Sequence, residues 1–268
     1  MNLNVLFIGD VVGKPGMDMV TTWLPSLEKK YRVDLIIVNA ENSADGKGCT
    51  EKEGKVLFNL GAHVLTGGNH TWDKRQAQDY LKSDNRVLRP LNYPKGTYGN
   101  GYAIIDTKKA KVAVLNLQGR TYMQAIDCPF RTAEWAIKKI QQETKIIIVD
   151  FHAEATAEKL ALANFVDGDV SLFIGTHTHI QTADERIFPK GMGYITDSGM
   201  TGPYNSVIGM KTDAAINRFL YQTPQKYQTA TDNNRLCGIF AKIDIKTCKT
   251  VEIERIIIPE FEKSITVE

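Results

Sequence analysis

The sequence predicts an α/β protein in which two sheets stack face to face between outer helices, and three observations carry that prediction. Short β-branched or apolar runs recur along the chain, many of them separated by segments of helical spacing. Several of these runs are nearly continuous in apolar residues rather than alternating, as expected for central strands covered on both faces. Two pairs of strand-like segments are each joined by only a few polar, lysine-rich residues and therefore read as hairpins. Together these features fit a two-sheet sandwich better than a single doubly wound sheet.

The elements follow in order. Strands are expected at Val5–Ile8, Leu35–Val38, His63–Leu65, Val112–Leu115, Ile146–Val149 and Val170–Ile174. Helix-compatible spacing covers Met17–Lys30, Thr50–Leu60, Thr132–Gln142 and Thr156–Phe165, with Thr50, Thr132 and Thr156 placed as N-caps. Pro25 argues against the first of these helices, because an interior proline removes a backbone donor. The hairpins pair Gly101–Thr107 with Lys111–Asn116, and Cys237–Ile245 with Thr250–Ile258. Between Pro203 and Pro224 a helix is expected over Asp213–Tyr221, and its glycine-rich approach reads as a mobile flap over a site. No linker rich in proline, glycine or serine and no internal repeat divides the chain, so residues 1–268 are expected to form one domain.

Composition narrows the function. With 43% hydrophobic residues among 268, the chain can bury a substantial core. Its 33 basic and 31 acidic residues leave a formal charge of only +2, which gives no footprint for coating nucleic acid or a polybasic membrane surface. The four cysteines, Cys49, Cys128, Cys237 and Cys248, form no Cys-x-x-Cys pair, against a zinc knuckle or redox motif. The chain opens directly into an apolar run without a basic leader, and no apolar stretch approaches the ~18 residues of a membrane span. A soluble cytoplasmic protein is expected.

The chemistry lies at the strand ends. In open α/β sheets ligands gather beyond the carboxyl ends of the strands, where loops distant in sequence converge. Here Asp10 follows the first run, Glu41 and Asn42 the second, Asn69 and His70 the third, His152 the fifth, and His177 and His179 the sixth. A lone histidine at a strand end is commonly a hydrogen-bonding core residue; three strands delivering imidazoles and two delivering carboxylates to one rim point to metal. Two carboxylates, one amide and three imidazoles exceed the needs of a single tetrahedral zinc and suit two divalent ions about 3.5–4 Å apart. His177 and His179 would share a face on a strand or reach different ions from a turn, and spacing alone does not choose.

Gly68-Asn69-His70 and Gly175-Thr176-His177-Thr178-His179 resemble signatures of calcineurin-like metallophosphoesterases, and their order along the chain matches. More narrowly, Ile8 to Gly13, Asn39 to Asn42, Thr66 to Trp72, Asp150 to Glu154 and Tyr194 to Met200 resemble the bacterial YmdB-type phosphodiesterase family over nearly the whole chain. The resemblance implies a four-layer αββα sandwich with a binuclear metal site at the carboxyl ends of the strands. Residue by residue it implies that Asp10, Glu41 and His179 hold one ion and that Glu41, Asn69, His152 and His177 hold the other, with Glu41 as the bridge. Most metallophosphoesterases carry Asp-x-His in the first motif and a bridging aspartate. This chain has Val12 and Glu41 in those places, departures shared with the narrower family.

For hydrolysis, a metal-bound hydroxide is the expected nucleophile, since a bound ion brings the pKa of water from 15.7 to about 7. Asn42 and Asn69 are expected to add hydrogen bonds to phosphate oxygens. His70, next to a ligand yet outside the metal shell in the family pattern, is the expected general acid. The resemblance implies cyclic nucleotides, 2′,3′ or 3′,5′, as substrates. RNA ends, other phosphodiesters and a homo-oligomeric state are further expectations by family analogy, with no membrane partner. The cofactors are expected to be two divalent or transition metal ions, from among iron, manganese, zinc, magnesium or cobalt.

Other readings are weaker. Gly13-Lys14-Pro15-Gly16 lacks the Gly-x-x-x-x-Gly-Lys-[Ser/Thr] pattern of a phosphate loop. Trp72 and Tyr204 could stack on a base or simply pack; Arg120 could meet a phosphate or an acid; Asp197 could orient a histidine or cap a turn. His63, ahead of its strand, reads as structural. A metallo-β-lactamase-like site needs a His-x-His-x-Asp-His cluster, whereas His179 is followed by Ile180-Gln181. The alternative from another class is a regulatory RNA- or protein-binding module with a ligand-sensing metal site, against which the weak charge and the lack of an aromatic-basic motif count.

Overall fold

The computed structural model describes residues 1–261. The chain runs β1 (Asn2–Ile8), α1 (Gly13–Tyr31), β2 (Leu35–Asn39), α2 (Glu51–Asn59), β3 (Val64–Thr66), α3 (Ala77–Ser83), β4 (Tyr102–Asp106), β5 (Lys111–Gln118), α4 (Pro129–Ile140), β6 (Ile147–His152), α5 (Thr156–Val166) and β7 (Leu172–Thr176). It continues through β8 (Arg186–Ile187), β9 (Gly193–Ile195), β10 (Gly202–Pro203), α6 (Thr212–Tyr221), β11 (Asn234–Asp244) and β12 (Lys249–Ile258).

These strands form two sheets. One runs β10-β11-β1-β2-β3 with β12 also on β11; the other runs β4-β5-β6-β7-β9-β8. β1, β2 and β3 are parallel, as are β5, β6, β7 and β9. Both expected hairpins form, β4 with β5 and β11 with β12.

Side-chain alternation explains the layering. Leu3, Val5 and Phe7 of β1 join Leu35 and Ile37 of β2, Val112 and Val114 of β5, Ile148 of β6 and Ile174 of β7 in a core between the sheets. Leu6 and Ile8, on the other face of β1, meet Val20, Leu24 and Leu27 of α1 and Leu57 of α2. On the far side, Leu115, Leu117, Val149, Phe151 and Phe173 pack against Ala136, Ile137 and Ile140 of α4 and Leu162 of α5. Three stacked cores make four layers, helix, sheet, sheet, helix, and the central strands are buried on both faces as their apolar runs require.

Several boundaries differ from expectation. α1 starts at Gly13 rather than Met17 and continues through Pro25, since Leu24 and Leu27 on either side are buried against the first sheet. Thr132 is not a cap: α4 begins at Pro129, and proline is favoured in the first turn because its missing N–H would go unpaired there anyway. Thr156 is the first helical residue of α5, after Ala155. Thr50 does precede α2, but its hydroxyl pairs with the Glu53 carboxylate rather than a backbone N–H. The short elements α3, β8, β9 and β10 were too brief to leave a periodic signal. Among the described residues no helix is long and apolar enough to cross a membrane.

Candidate metal centre

The carboxyl ends of β1, β2 and β3 from one sheet and β6 and β7 from the other meet at a single buried polar cluster. His152, the last residue of β6, stands at its middle and is fully buried. Its Nε2 lies 3.0 Å from Glu41 Oε1, 3.0 Å from Asn69 Oδ1 and 3.0 Å from His177 Nδ1. Glu41, His152 and His177 each offer a ligand atom, all within 4.8 Å of one another. Separations of this size are those of neighbouring donors around an ion with bonds of ~2.0–2.2 Å.

Asp10 and His179 extend the cluster. His179 Nε2 is 3.8 Å from Asp10 Oδ1, and His152 Nδ1 is 3.9 Å from the same oxygen. Asp10 Oδ2 accepts the His177 backbone N–H at 3.2 Å, whereas Oδ1 is buried without a hydrogen-bond partner among the described residues. A fully buried carboxylate oxygen with no donor is costly unless a cation satisfies it.

Each imidazole is aimed by its second nitrogen, the usual arrangement around metal-binding histidines. His179 Nδ1–H donates to the Ile208 carbonyl at 2.9 Å, leaving Nε2 toward Asp10. His177 Nε2 faces Glu154 Oε2 at 3.2 Å, leaving Nδ1 toward His152. His152 Nδ1 meets Thr176 Oγ1 at 3.0 Å, and that hydroxyl donates to Asp150 Oδ1 at 2.7 Å. Glu154, Thr176 and Asp150 were not singled out from the sequence as orienting groups. Their only linear signal is adjacency to the histidines.

Electrostatics bind the cluster together. Burial raises the Asp10 carboxyl above its ordinary value, against the pull of His179 and His152. Burial acts on Glu41 in the same sense, but His152, followed by His70 and His177, overcomes it and holds the acid down to about 2. Burial would lower His152, yet Glu41, with Asp10 and Asp150, raises it to about 9. His177 is pushed down to about 3 by burial and then by its neighbour His152. The shifts have one cause, the close packing of charges: Glu41 and His152 favour each other's charged forms, and His152 disfavours a second charge on His177.

The backbone is shaped to the same end. Gly68 passes so close that a Cβ there would stand 2.2 Å from Glu41 Oε2 and 2.4 Å from His152 Nε2. His177 and His179 both adopt positive φ, 102° and 67°, a conformation that costs a side-chain-bearing residue roughly 1–3 kcal/mol and persists only where the surroundings impose it. Val12, in the place of the histidine of the wider pattern, is fully buried and packs near Gly202 and Gly209.

The remaining candidates sort by position. The His70 ring lies at the rim, its Nδ1 2.9 Å from Asp73 Oδ2, while its backbone N–H donates to Glu41 Oε2 at 3.1 Å. Asn42 Nδ2 sits 3.2 Å from both Glu41 Oε1 and His179 Nε2. Asp197 touches no histidine ring; it accepts from the Thr178 backbone and hydroxyl and from Lys159. Trp72 packs edge-on against Tyr93 and Tyr204 hydrogen-bonds Met200 and Cys237, so both have structural partners; Arg120 is exposed, and it is its backbone N–H that donates to Glu158. His63 Nδ1 accepts from the Ile36 N–H, in keeping with a structural residue.

A helix-flanked double-sheet sandwich whose strand ends present carboxylates, an amide and imidazoles to one point defines a calcineurin-like metal-dependent phosphoesterase. The profile of the family described as YmdB-like protein matches residues 6–256, and this chain belongs to that family. It is 47% identical over 256 residues to the 2′,3′-cyclic-nucleotide 2′-phosphodiesterase of Bacillus subtilis (strain 168), covering 96% of this chain and 97% of that protein. A hypothetical protein from Thermus thermophilus superposes with a TM-score of 0.89 at 37% identity, covering 95% of this chain and 98% of its own. A Mycoplasma pneumoniae protein described as a novel phosphatase superposes with a TM-score of 0.90 at 36% identity, covering 96% and 94%. The enzyme reading thus stands over the binding-module alternative.

Proposed function

We propose that the chain hydrolyses cyclic nucleotides, with the 2′,3′-cyclic class first, at a binuclear centre. The observation that carries the proposal is the convergence of Glu41, His152 and His177 beside the unpartnered Asp10 Oδ1. Asp10, Glu41 and His179 would hold one ion; Glu41, Asn69, His152 and His177 would hold the other. Mixed nitrogen and oxygen donors of this kind suit iron, manganese or zinc. When bound, the ions polarise phosphate oxygens and acidify water.

The chain's own groups supply the rest. Asn42 and Asn69 offer amides to phosphate oxygens at the floor of the site. Asp73 accepts from His70 Nδ1, which orients the ring and leaves Nε2 as the atom that gives a proton to the departing ribose oxygen. Lys47 Nζ stands 3.8 Å from the same Asp73 carboxylate and balances its charge.

The test is metal analysis of protein purified without chelator, paired with turnover of 2′,3′-cyclic AMP and 3′,5′-cyclic AMP. Two ions per chain and hydrolysis are expected, and Glu41→Ala should lose both. One ion at full activity would overturn the binuclear assignment. Turnover of neither nucleotide by the loaded protein would overturn the substrate class.

A further inference from the structure

The metal cluster opens into a cavity of about 360 Å³ lined by both polar and apolar side chains. Its lining joins Glu41, Asn42, His177 and His179 of the cluster, and Lys47 and His70, to the apolar side chains of Ile208, Met210, Phe219 and Tyr227, with Arg218 among them. That size falls within the ~300–1,000 Å³ of small-molecule sites, and a polar end joined to an apolar, aromatic wall matches a ligand with a phosphate at one end and a flat ring at the other. A second pocket that shares Lys47, His70 and His177 with it is lined otherwise by Asn69, Asp73, Tyr122, Met123 and Gln124, a more polar set with a single aromatic ring, that of Tyr122, which is 90% exposed.

Tyr227 is built into the apolar wall. Its ring lies so close to Gly46 that a Cβ there would be 2.3 Å from Cε1, and its hydroxyl lies close to Gly209, at 3.2 Å from a Cβ. Lys47 Nζ lies 5.8 Å from the ring centroid. Among the described residues the hydroxyl makes no hydrogen bond, and burial pushes its pKa up to about 12, so it stays a donor at neutral pH. Arg218 forms no ion pair among the described residues, and a guanidinium plane stacks readily on a flat ring. Phe219 is 71% exposed, as are its α6 neighbours Leu220 and Tyr221 at 68% and 66%, and it is the one of the three that lines the cavity.

We infer that Tyr227, Phe219 and Arg218 form a seat for the nucleobase of a nucleoside phosphate whose phosphate lies on the Glu41–His152–His177 cluster. The inference rests on the phosphodiesterase reading for the position of the phosphate, and it makes α6 a specificity element rather than a mere lid. Aromatic stacking tolerates any base, so the seat favours nucleotides over baseless phosphodiesters more strongly than it ranks the bases.

The test compares wild type with Tyr227→Leu and Phe219→Ala in two assays on metal-loaded protein. In titration calorimetry with 3′-AMP, each variant should bind at least tenfold more weakly. In turnover, the ratio of kcat/KM for 2′,3′-cyclic AMP to that for glycerol 1,2-cyclic phosphate should fall at least tenfold. Unchanged 3′-AMP affinity in Phe219→Ala and in folded Tyr227→Leu would overturn the base seat, even if the cyclic nucleotide is hydrolysed. Equal loss on both esters would also overturn it and would make this face a structural or copy-to-copy surface, which sedimentation of the same variants identifies. Absence of turnover by wild type with intact 3′-AMP discrimination would instead sink the phosphodiesterase reading and leave the seat standing. The exposed position of Phe219 keeps the experiment decisive if Tyr227→Leu fails to fold.

Discussion

Lys159 Nζ lies 2.8 Å from Asp197 Oδ2, and both side chains are fully buried beneath the loop that carries His177 and His179. The same carboxylate oxygen accepts the Thr178 N–H at 3.0 Å and the Thr178 hydroxyl at 2.8 Å, and Asp197 Oδ1 accepts the Gly199 N–H at 2.9 Å. Thr178 separates two histidines held at positive φ, so the ion pair fastens the one residue from which both imidazoles hang. Lys159→Met strands a buried carboxylate. We expect it to lower stability by about 3–5 kcal/mol and to release metal, as read by denaturant unfolding and metal analysis. Retention of full metal content would limit the pair to a packing role.

Gly68→Ala should be among the most damaging single-methyl changes in the chain. The new Cβ would collide with both Glu41 Oε2 and the His152 ring, and neither group can retreat, since both are buried at the centre of the cluster. Turnover should fall at least ~10²-fold with metal content reduced in parallel, because displacements of an ångström at a reacting centre are that costly. Wild-type kinetics in this variant would contradict the placement of the cluster.

His70→Ala should keep its metal and lose roughly 10²–10⁴ in kcat, the range for a general acid. Asp73→Asn should lose less, about tenfold, because it only loosens the ring held at 2.9 Å. Metal content separates this pair from Glu41→Ala. Activity of His70→Ala equal to wild type would remove His70 from the reaction.

Acid should weaken the fold at a point remote from the site. His63 Nδ1 accepts the Ile36 N–H at 3.1 Å, and burial holds its pKa below 6.5, with Glu28 opposing and Arg86 assisting. The folded state therefore binds a proton less readily than the unfolded chain. Its contribution is fully present above pH ~6.5 and is lost as pH falls through the depressed folded value. Urea midpoints between pH 7.5 and 5.5 should decline less steeply for His63→Gln than for wild type; identical slopes would count against the assignment.

Much of this arrangement was legible because apolar runs that end in polar residues announce both a buried strand and its rim. Asp10, Glu41, Asn69, His152, His177 and His179 could be gathered that way, since each closely follows such a run. The orienting groups could not. Lys159 reads in the sequence as an ordinary polar position of a helix, and only packing brings it against Asp197, 38 residues away. Asp150 sits inside an apolar strand and Thr176 at the end of another; their hydroxyl-to-carboxylate relay depends on β6 and β7 being neighbours, which no local pattern encodes. Thr132 failed as a cap because a threonine near a helix start has no way to signal that Pro129 begins it.

The cluster draws Asp10, Glu41 and Asn69 from one sheet and His152, His177 and His179 from the other, so an ion held by them would tie together two sheets that otherwise meet through apolar side chains. Anything that binds only the assembled state adds RT ln(1 + [L]/Kd) to its stability, and here that increment would count against any opening of the seam between the sheets.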